Sequence, residues 1–211
     1  MLGFLVVVLT VPMMIFGCRD GKHNVLTIDS YGNKSLPIQV KNVKLLVYDH
    51  EMKPSCYKNK VNIVLPGYFV LVGGEIETSR NFDVIKSGPT SLSVSLDGDN
   101  ICLEGKSDMF IVPNSLCHFE LASFVPVEIC KIIQKKGTHT IKEIEEFANF
   151  NSTIELPPSP SFLGISLLEV LKGDYRIKVS IASEGEKIVE FSVPTGYVNL
   201  KMGMSEGDDE D

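Results

Sequence analysis

From Val43 onward, short apolar runs alternate with turn residues. In residues 91–96, Leu92, Val94 and Leu96 alternate with Ser91, Ser93 and Ser95. A strict period of two buries one face of a strand and wets the other. Asp97-Gly98 then turns the chain. The clearest pair comes late. Tyr175, Ile177, Val179 and Ile181 alternate with Arg176, Lys178 and Ser180. Glu184-Gly185 is the turn, and Val189, Phe191 and Val193 alternate with Ile188, Glu190 and Ser192. Two alternating runs joined by a short Gly turn predict an antiparallel hairpin. Further strands are expected at residues 44–48, 61–65 and 68–72, the last two followed by Pro66-Gly67 and Gly73-Gly74. Short strands at this spacing predict an all-β fold, a sandwich or barrel.

Helix signals are few. Ile141, Ile144 and Phe147 share a spacing of three and predict a turn of helix. Ser166-Leu-Leu-Glu169 has the form of a capping box, with Gly173 as the stop. Residues 2–16 are apolar apart from one Thr, and Arg19, Asp20 and Lys22 follow. That run is shorter than the roughly 20 residues a spanning helix needs, and Pro12 weakens a helix there. With Gly17 as the small residue at the cleavage point, residues 1–17 have the form of a secretory signal peptide. No second stretch is long and apolar enough to span a bilayer, so a soluble, exported mature chain is expected.

Composition narrows the function classes. The chain has 211 residues, 44% apolar and 22% charged, as in a globular domain. Net charge is −7, and the last seven residues, SEGDDED, hold five of the acids. An acidic run of this kind is a solvated end. There is neither the basic excess nor the clustered Lys/Arg of a nucleic-acid binder. The five cysteines are Cys18, Cys56, Cys102, Cys117 and Cys130. In an oxidising compartment four of them form two bridges, with three pairings open. Cys18, at the cleavage point, is the expected odd one out. No CxxC and no Cys/His spacing suggests a metal. Asn33-Lys-Ser and Asn151-Ser-Thr are glycosylation sequons.

The ordered segments resemble the ML lipid-recognition family, within it the lysosomal ganglioside activators. Val64-Leu-Pro-Gly67 is similar to the family's second-strand entry, and Gly137-Thr-His-Thr, with Phe147 beyond, to its Gly-Thr-Tyr-Ser segment. Ile154-Glu-Leu-Pro157 and Pro160-Ser-Phe-Leu163 resemble Leu-Glu-Leu-Pro-Ser-Trp-Leu, with Phe162 in place of Trp. Gly173-Asp-Tyr-Arg-Ile177 is close to Gly-Asn-Tyr-Arg-Ile. The likeness runs from about Asp29 to Val193. It departs at Tyr31 and within residues 188–191, where the family has two cysteines that pair with each other. The residues 164–172 are extra.

The resemblance implies a two-sheet antiparallel β-sandwich, immunoglobulin-like and of ML type, with an apolar cavity between the sheets. With the signal peptide (1–17) and the acidic disordered tail (201–211) read from the residues, it leaves an N-terminal segment (18–28) and a lipid-binding domain (29–200). It implies a Cys117–Cys130 loop bridge and leaves Cys56 with Cys102. The implied activity is non-enzymatic. A secreted or lysosomal carrier holds acyl chains of a glycolipid, phospholipid or sterol, touches membrane surfaces transiently and presents glycolipid to a glycosidase. A sterol carrier, a lipid-sensing immune co-receptor and a filled sandwich that binds only protein are the alternatives. A tail of a dozen methylenes gains on the order of 10 kcal/mol at about 0.8 kcal/mol per buried methylene, before ordering costs.

The candidate lining is the apolar set expected to face inward. It comprises Phe69, Leu71, Phe110, Phe119, Phe124, Phe147, Phe162 and Leu163, with Leu167, Leu168 and Leu171 at a mouth or lid. The extra segment is expected to cap the pocket or touch the membrane. No Gly-x-Ser-x-Gly elbow, P-loop or dinucleotide fingerprint occurs. None of His23, His50, His118 and His139 sits in an acid/base constellation. Asp97-Gly-Asp-Asn100 resembles a calcium loop, but Cys102 occupies the position that needs Gly. Catalytic residues, cofactors, metals and nucleic acid are therefore not expected.

Overall fold

The structure, a computed structural model, describes residues 17–205 apart from Phe124, Phe150 and Leu163. The expected signal peptide (all but Gly17) and the acidic residues 206–211 lie outside the described residues.

In chain order the first strands are β1 (Val25–Ser30), β2 (Ile38–Asp49), β3 (Cys56–Tyr57), β4 (Lys60–Ile63) and β5 (Gly67–Thr78). Next come β6 (Pro89–Leu96), β7 (Asp99–Leu103), β8 (Lys106–Ser107) and β9 (His118–Glu120). Helix α1 (Val127–Ile133), β10 (Gly137–Thr140), α2 (Ile141–Ala148) and β11 (Thr153–Leu156) follow. The chain continues through β12 (Ser161–Phe162), β13 (Ile165–Ser166), α3 (Leu167–Val170), β14 (Gly173–Ser183), β15 (Glu186–Val193) and β16 (Leu200–Met202). The fold is all-β, a curled mixed sheet with three short α-helices among the described residues.

The late hairpin forms as its alternation predicts. Val179 of β14 faces Phe191 of β15, and Ile181 faces Val189. Glu184 and Gly185 make the turn with φ of 52° and 81°, a backbone glycine adopts freely. On its other edge β14 pairs with β6, Ile177 opposite Val94 and Val179 opposite Leu92. β1 joins the two halves of the sheet. Its residues Val25–Ile28 pair with β2, whereas Asp29 and Ser30 pair with β15. β5 in turn lies between β2 and the shorter β10 and β11. Among the described residues, the one parallel pairing joins β16 to β4.

Curling brings distant strands onto one core. Leu26 of β1 and Val47 of β2 pack with Ile101 of β7, Tyr175 of β14 and Leu200 of β16. Two findings move the expected domain limits. Asn24 and Leu26 are fully buried, so the packed domain starts before residue 29. At the other end β16 runs to Met202, and the Asn62 side chain donates to the Met204 carbonyl at 2.9 Å. Burial of Leu200 against the core carries these residues into the sheet, so the tail begins later than residue 201.

Leu26 is 1% exposed and Phe147 is 69% exposed. Leu26→Ala should therefore lower stability by about 2–5 kcal/mol, and Phe147→Ala by no more than about 0.5 kcal/mol. Urea unfolding of the two variants checks the contrast. Equal losses would mean that the inner and outer faces are misassigned.

Candidate functional site

Two apolar pockets open along the inner face of β14. The first, about 240 Å³, lies under the helices α1 and α2. β14 and β15 contribute Ile181, Val189 and Phe191, β2 and β5 contribute Ile38, Val40, Leu71 and Ile76, and the helices contribute Ile129, Ile133, Ile141 and Ile144. Every lining residue is apolar. The second, about 280 Å³, lies under α3. Val94, Tyr175 and Ile177 form its sheet side, and Leu167, Leu168 and Leu171 cover it. Val112 and Leu116 close another flank.

Local sequence explains why helices cover both. At the start of α2, Thr140 and Glu143 form a full capping box. The Thr140 hydroxyl accepts from the Glu143 N–H at 3.2 Å, and the Glu143 carboxylate accepts from the Thr140 N–H at 2.9 Å. These bonds satisfy donors that a helix start leaves open, and they hold the Glu143 carboxyl below the usual carboxylate range. Asn149 ends the helix in the left-handed conformation. At α3 the Ser166 side chain makes no capping bond, contrary to the capping-box expectation. The helix is held from the preceding loop instead. The Leu167 N–H donates to the Pro160 carbonyl at 2.7 Å, and the Leu168 N–H to the Ser159 hydroxyl at 2.9 Å.

Gly173 opens β14 rather than stopping a helix. A Cβ there would meet Asp97 Oδ2 and Leu96 Cδ1, each at 2.6 Å. Next to it, Tyr175 is buried at the base of the α3 pocket, and its hydroxyl donates to the Leu171 carbonyl. Burial, with the charge of Asp97, pushes its phenol up to about 12. The opposite face of β14 is polar. There Glu190 of β15 accepts from Lys187 at 2.7 Å and from Ser180 at 3.1 Å. Burial works to raise the Glu190 carboxyl, but the Lys187 bond and the charges of Lys178 and Lys187 hold it below the usual range.

The expected lining residues divide. Leu71 lies in the α1–α2 pocket, and Leu167, Leu168 and Leu171 lie in the α3 pocket. Phe69 is half-buried and packs against the core, lining neither. Phe119, on β9 opposite Thr90, also lines neither. Phe110 is 100% exposed in the loop after β8. Phe147 fails for a geometric reason. Steps of three on a 3.6-residue helix drift by about 60° each, so it turns away from the face of Ile141 and Ile144. Phe124 and Leu163 lie outside the described residues, and of Phe162 only its place in β12 is described.

Sequence reasoning missed most of the α1–α2 pocket. α1 was not expected, although the apolar positions Ile129, Cys130, Ile132 and Ile133 after Pro126 carry helical spacing. Ile181, Val189 and Phe191 were on alternating faces already read as strand.

The expected bridges are corrected. Cys18 pairs with Cys56 and Cys102 with Cys117, at Cα separations of 5.7 and 5.6 Å, within the span a disulfide covers. Cys18 is therefore not the odd one out. Cys130 is free and buried. It packs on α1 in the cluster around Ile188, whereas Cys102 and Cys117 belong to the cluster around Tyr175. Burial pushes the Cys130 thiol up. Among the described residues, no group of His, Cys, Asp and Glu is arranged to hold a metal ion.

No family model matches the chain, and no curated protein matches it.

Two outcomes follow from this geometry. Peptide mapping without reductant should recover Cys18–Cys56 and Cys102–Cys117, with Cys130 alkylated only after unfolding. The Cys102→Ala/Cys117→Ala double variant, which opens a 15-residue separation, should lose about 3 kcal/mol. Recovery of a Cys117–Cys130 peptide would overturn the assignment. Tyr175 gives a pH effect with a defined sign. Folded, it keeps its proton to about 12, whereas an unfolded tyrosine loses it near about 10. The folded chain then binds more protons across that window, so stability falls as pH rises through it. Tyr175→Phe should flatten this fall in denaturation curves between those pH values.

Proposed function

We propose that this protein is a non-enzymatic lipid carrier, exported or lysosomal, that holds hydrocarbon tails in its apolar interior and leaves the headgroup in water. In this reading the sheet folds over at β1 into two facing layers, an ML-type sandwich whose gap is incompletely filled. The observation that carries the reading is the α1–α2 pocket, with a lining that is apolar throughout. Such a surface offers no hydrogen bond and no charge, so a polar substrate loses solvation on entry and gains nothing in return. A hydrocarbon gains about 0.8 kcal/mol per buried methylene. Two disulfides support an oxidising compartment. The sequon residues Asn33 and Asn151 are both exposed, which suits glycan attachment. Delivery of a glycolipid to a glycosidase, with brief contact at a membrane surface, is the role the resemblance adds.

The test is native mass spectrometry of the protein secreted from eukaryotic cells, followed by lipid identification and by transfer of a fluorescent lipid between vesicles. A stoichiometric glycolipid or phospholipid is expected. Ile144→Asp, which places a charge among apolar lining residues, should reduce transfer at least tenfold, while Phe147→Asp on the outer side of α2 should leave it within twofold. A bound sterol would shift the reading to a sterol carrier. A protein that carries no lipid and takes up none would make it a filled sandwich that binds protein.

A further inference from the structure

The two pockets are related by strand register. Along the inner face of β14, Tyr175 and Ile177 line the α3 pocket and Ile181 lines the α1–α2 pocket. Val179, midway between, lines neither. Its cross-strand neighbours are Leu92 on β6 and Phe191 on β15. These three form one row across the sheet, between Ile177 of the α3 pocket and Ile181 of the α1–α2 pocket, and Phe191 also borders the latter. All three are only half-buried although they sit mid-strand on the inner face. On the opposing side Leu71 and Ile28 line the α1–α2 pocket and also pack against the core cluster that contains Tyr175.

We propose that the two pockets are the ends of one channel for a single long hydrocarbon chain, with Leu92, Val179 and Phe191 as a partition that yields when the chain threads through. This rests on the lipid-carrier reading above and adds the length of the ligand. Leu92, Val179 and Phe191, and Leu71 and Ile28 on the opposing side, carry no polar side-chain atom, so no side-chain hydrogen bond among them resists displacement. Methylenes that displace these side chains replace one apolar contact with another, and the cost is limited to rotamer changes. From Tyr175 to Ile181 the strand rises about 20 Å. Six extended residues contain eighteen backbone bonds, so an extended hydrocarbon of about eighteen carbons spans the same length. The pockets hold about 240 and 280 Å³, each below the roughly 300–1,000 Å³ of ordinary ligand sites, whereas together they fall within that range.

The experiment is a binding series with saturated fatty acids of eight to eighteen carbons, read by isothermal titration calorimetry and native mass spectrometry. A continuous channel predicts affinity rising about fourfold per methylene up to the longest chains, and one stearate that excludes decanoate from the whole protein. Val179→Trp should stop the rise near half that length and allow stearate and decanoate to bind together. Two independent pockets would give the wild type the same early plateau and simultaneous occupancy by both acids, and would overturn the channel while leaving lipid binding intact. Absence of binding at every length would overturn the carrier reading and the channel with it. The wild-type series decides the matter even if Val179→Trp does not fold.

Discussion

Everything inside this molecule depends on β14 being held in fixed register between β6 and β15. A strand with two partners cannot slip by one residue without turning its whole apolar set to water. Val179 opposite both Leu92 and Phe191, and Ile177 opposite both Val94 and Val193, fix that register on both edges. The polar face is fixed by the same pairing, with Ser180 opposite Glu190 and Ser91. Once β14 is set, the inner face is a ladder of apolar rows, and the curl of the sheet decides what each row meets.

Those rows meet a hollow at each end. Tyr175 packs with the core around Leu26 and Leu200 and also borders the pocket under α3. Ile181 meets a hollow roofed by two short helices. An empty apolar hollow loses contacts and costs stability in proportion to its volume. Here it is kept open by elements with their own local support. The Thr140–Glu143 capping box organises α2, the Pro160 carbonyl and Ser159 hydroxyl pin α3, and the Cys102–Cys117 bridge ties the flank that carries Leu116. A ligand that fills such a space regains the missing contacts without breaking a hydrogen bond. The lipid-carrier proposal rests on this asymmetry.

The cysteines show that packing decides which pairs can bridge. Pairing Cys117 with Cys130 assumes that the loop between them folds back on itself. In the structure β9, a short turn and α1 carry Cys130 to another cluster, and the chain partner within reach of Cys117 is Cys102 on β7. Sequence separation says nothing about this, because a bridge requires Cα atoms within about 7 Å and only packing sets that distance.

The sequence by itself determined the long strands of the inner sheet. Period-two alternation placed β6, β14 and β15 and the turn at Glu184-Gly185, because burial of one face needs only local order. It also located a helix at Ile141 and Ile144, and it marked Leu167, Leu168 and Leu171 as an apolar cluster. It did not say which apolar side chains would border space and which would fill it. Leu71 borders a pocket and Phe69, two residues away on the same face, does not. Both are apolar and both point inward, so their sequence signals are alike. The difference arises from what stands opposite each, which is set by the curl of the sheet and the seating of α1, α2 and α3. These are contacts between residues far apart in the chain, and only the tertiary structure decides them.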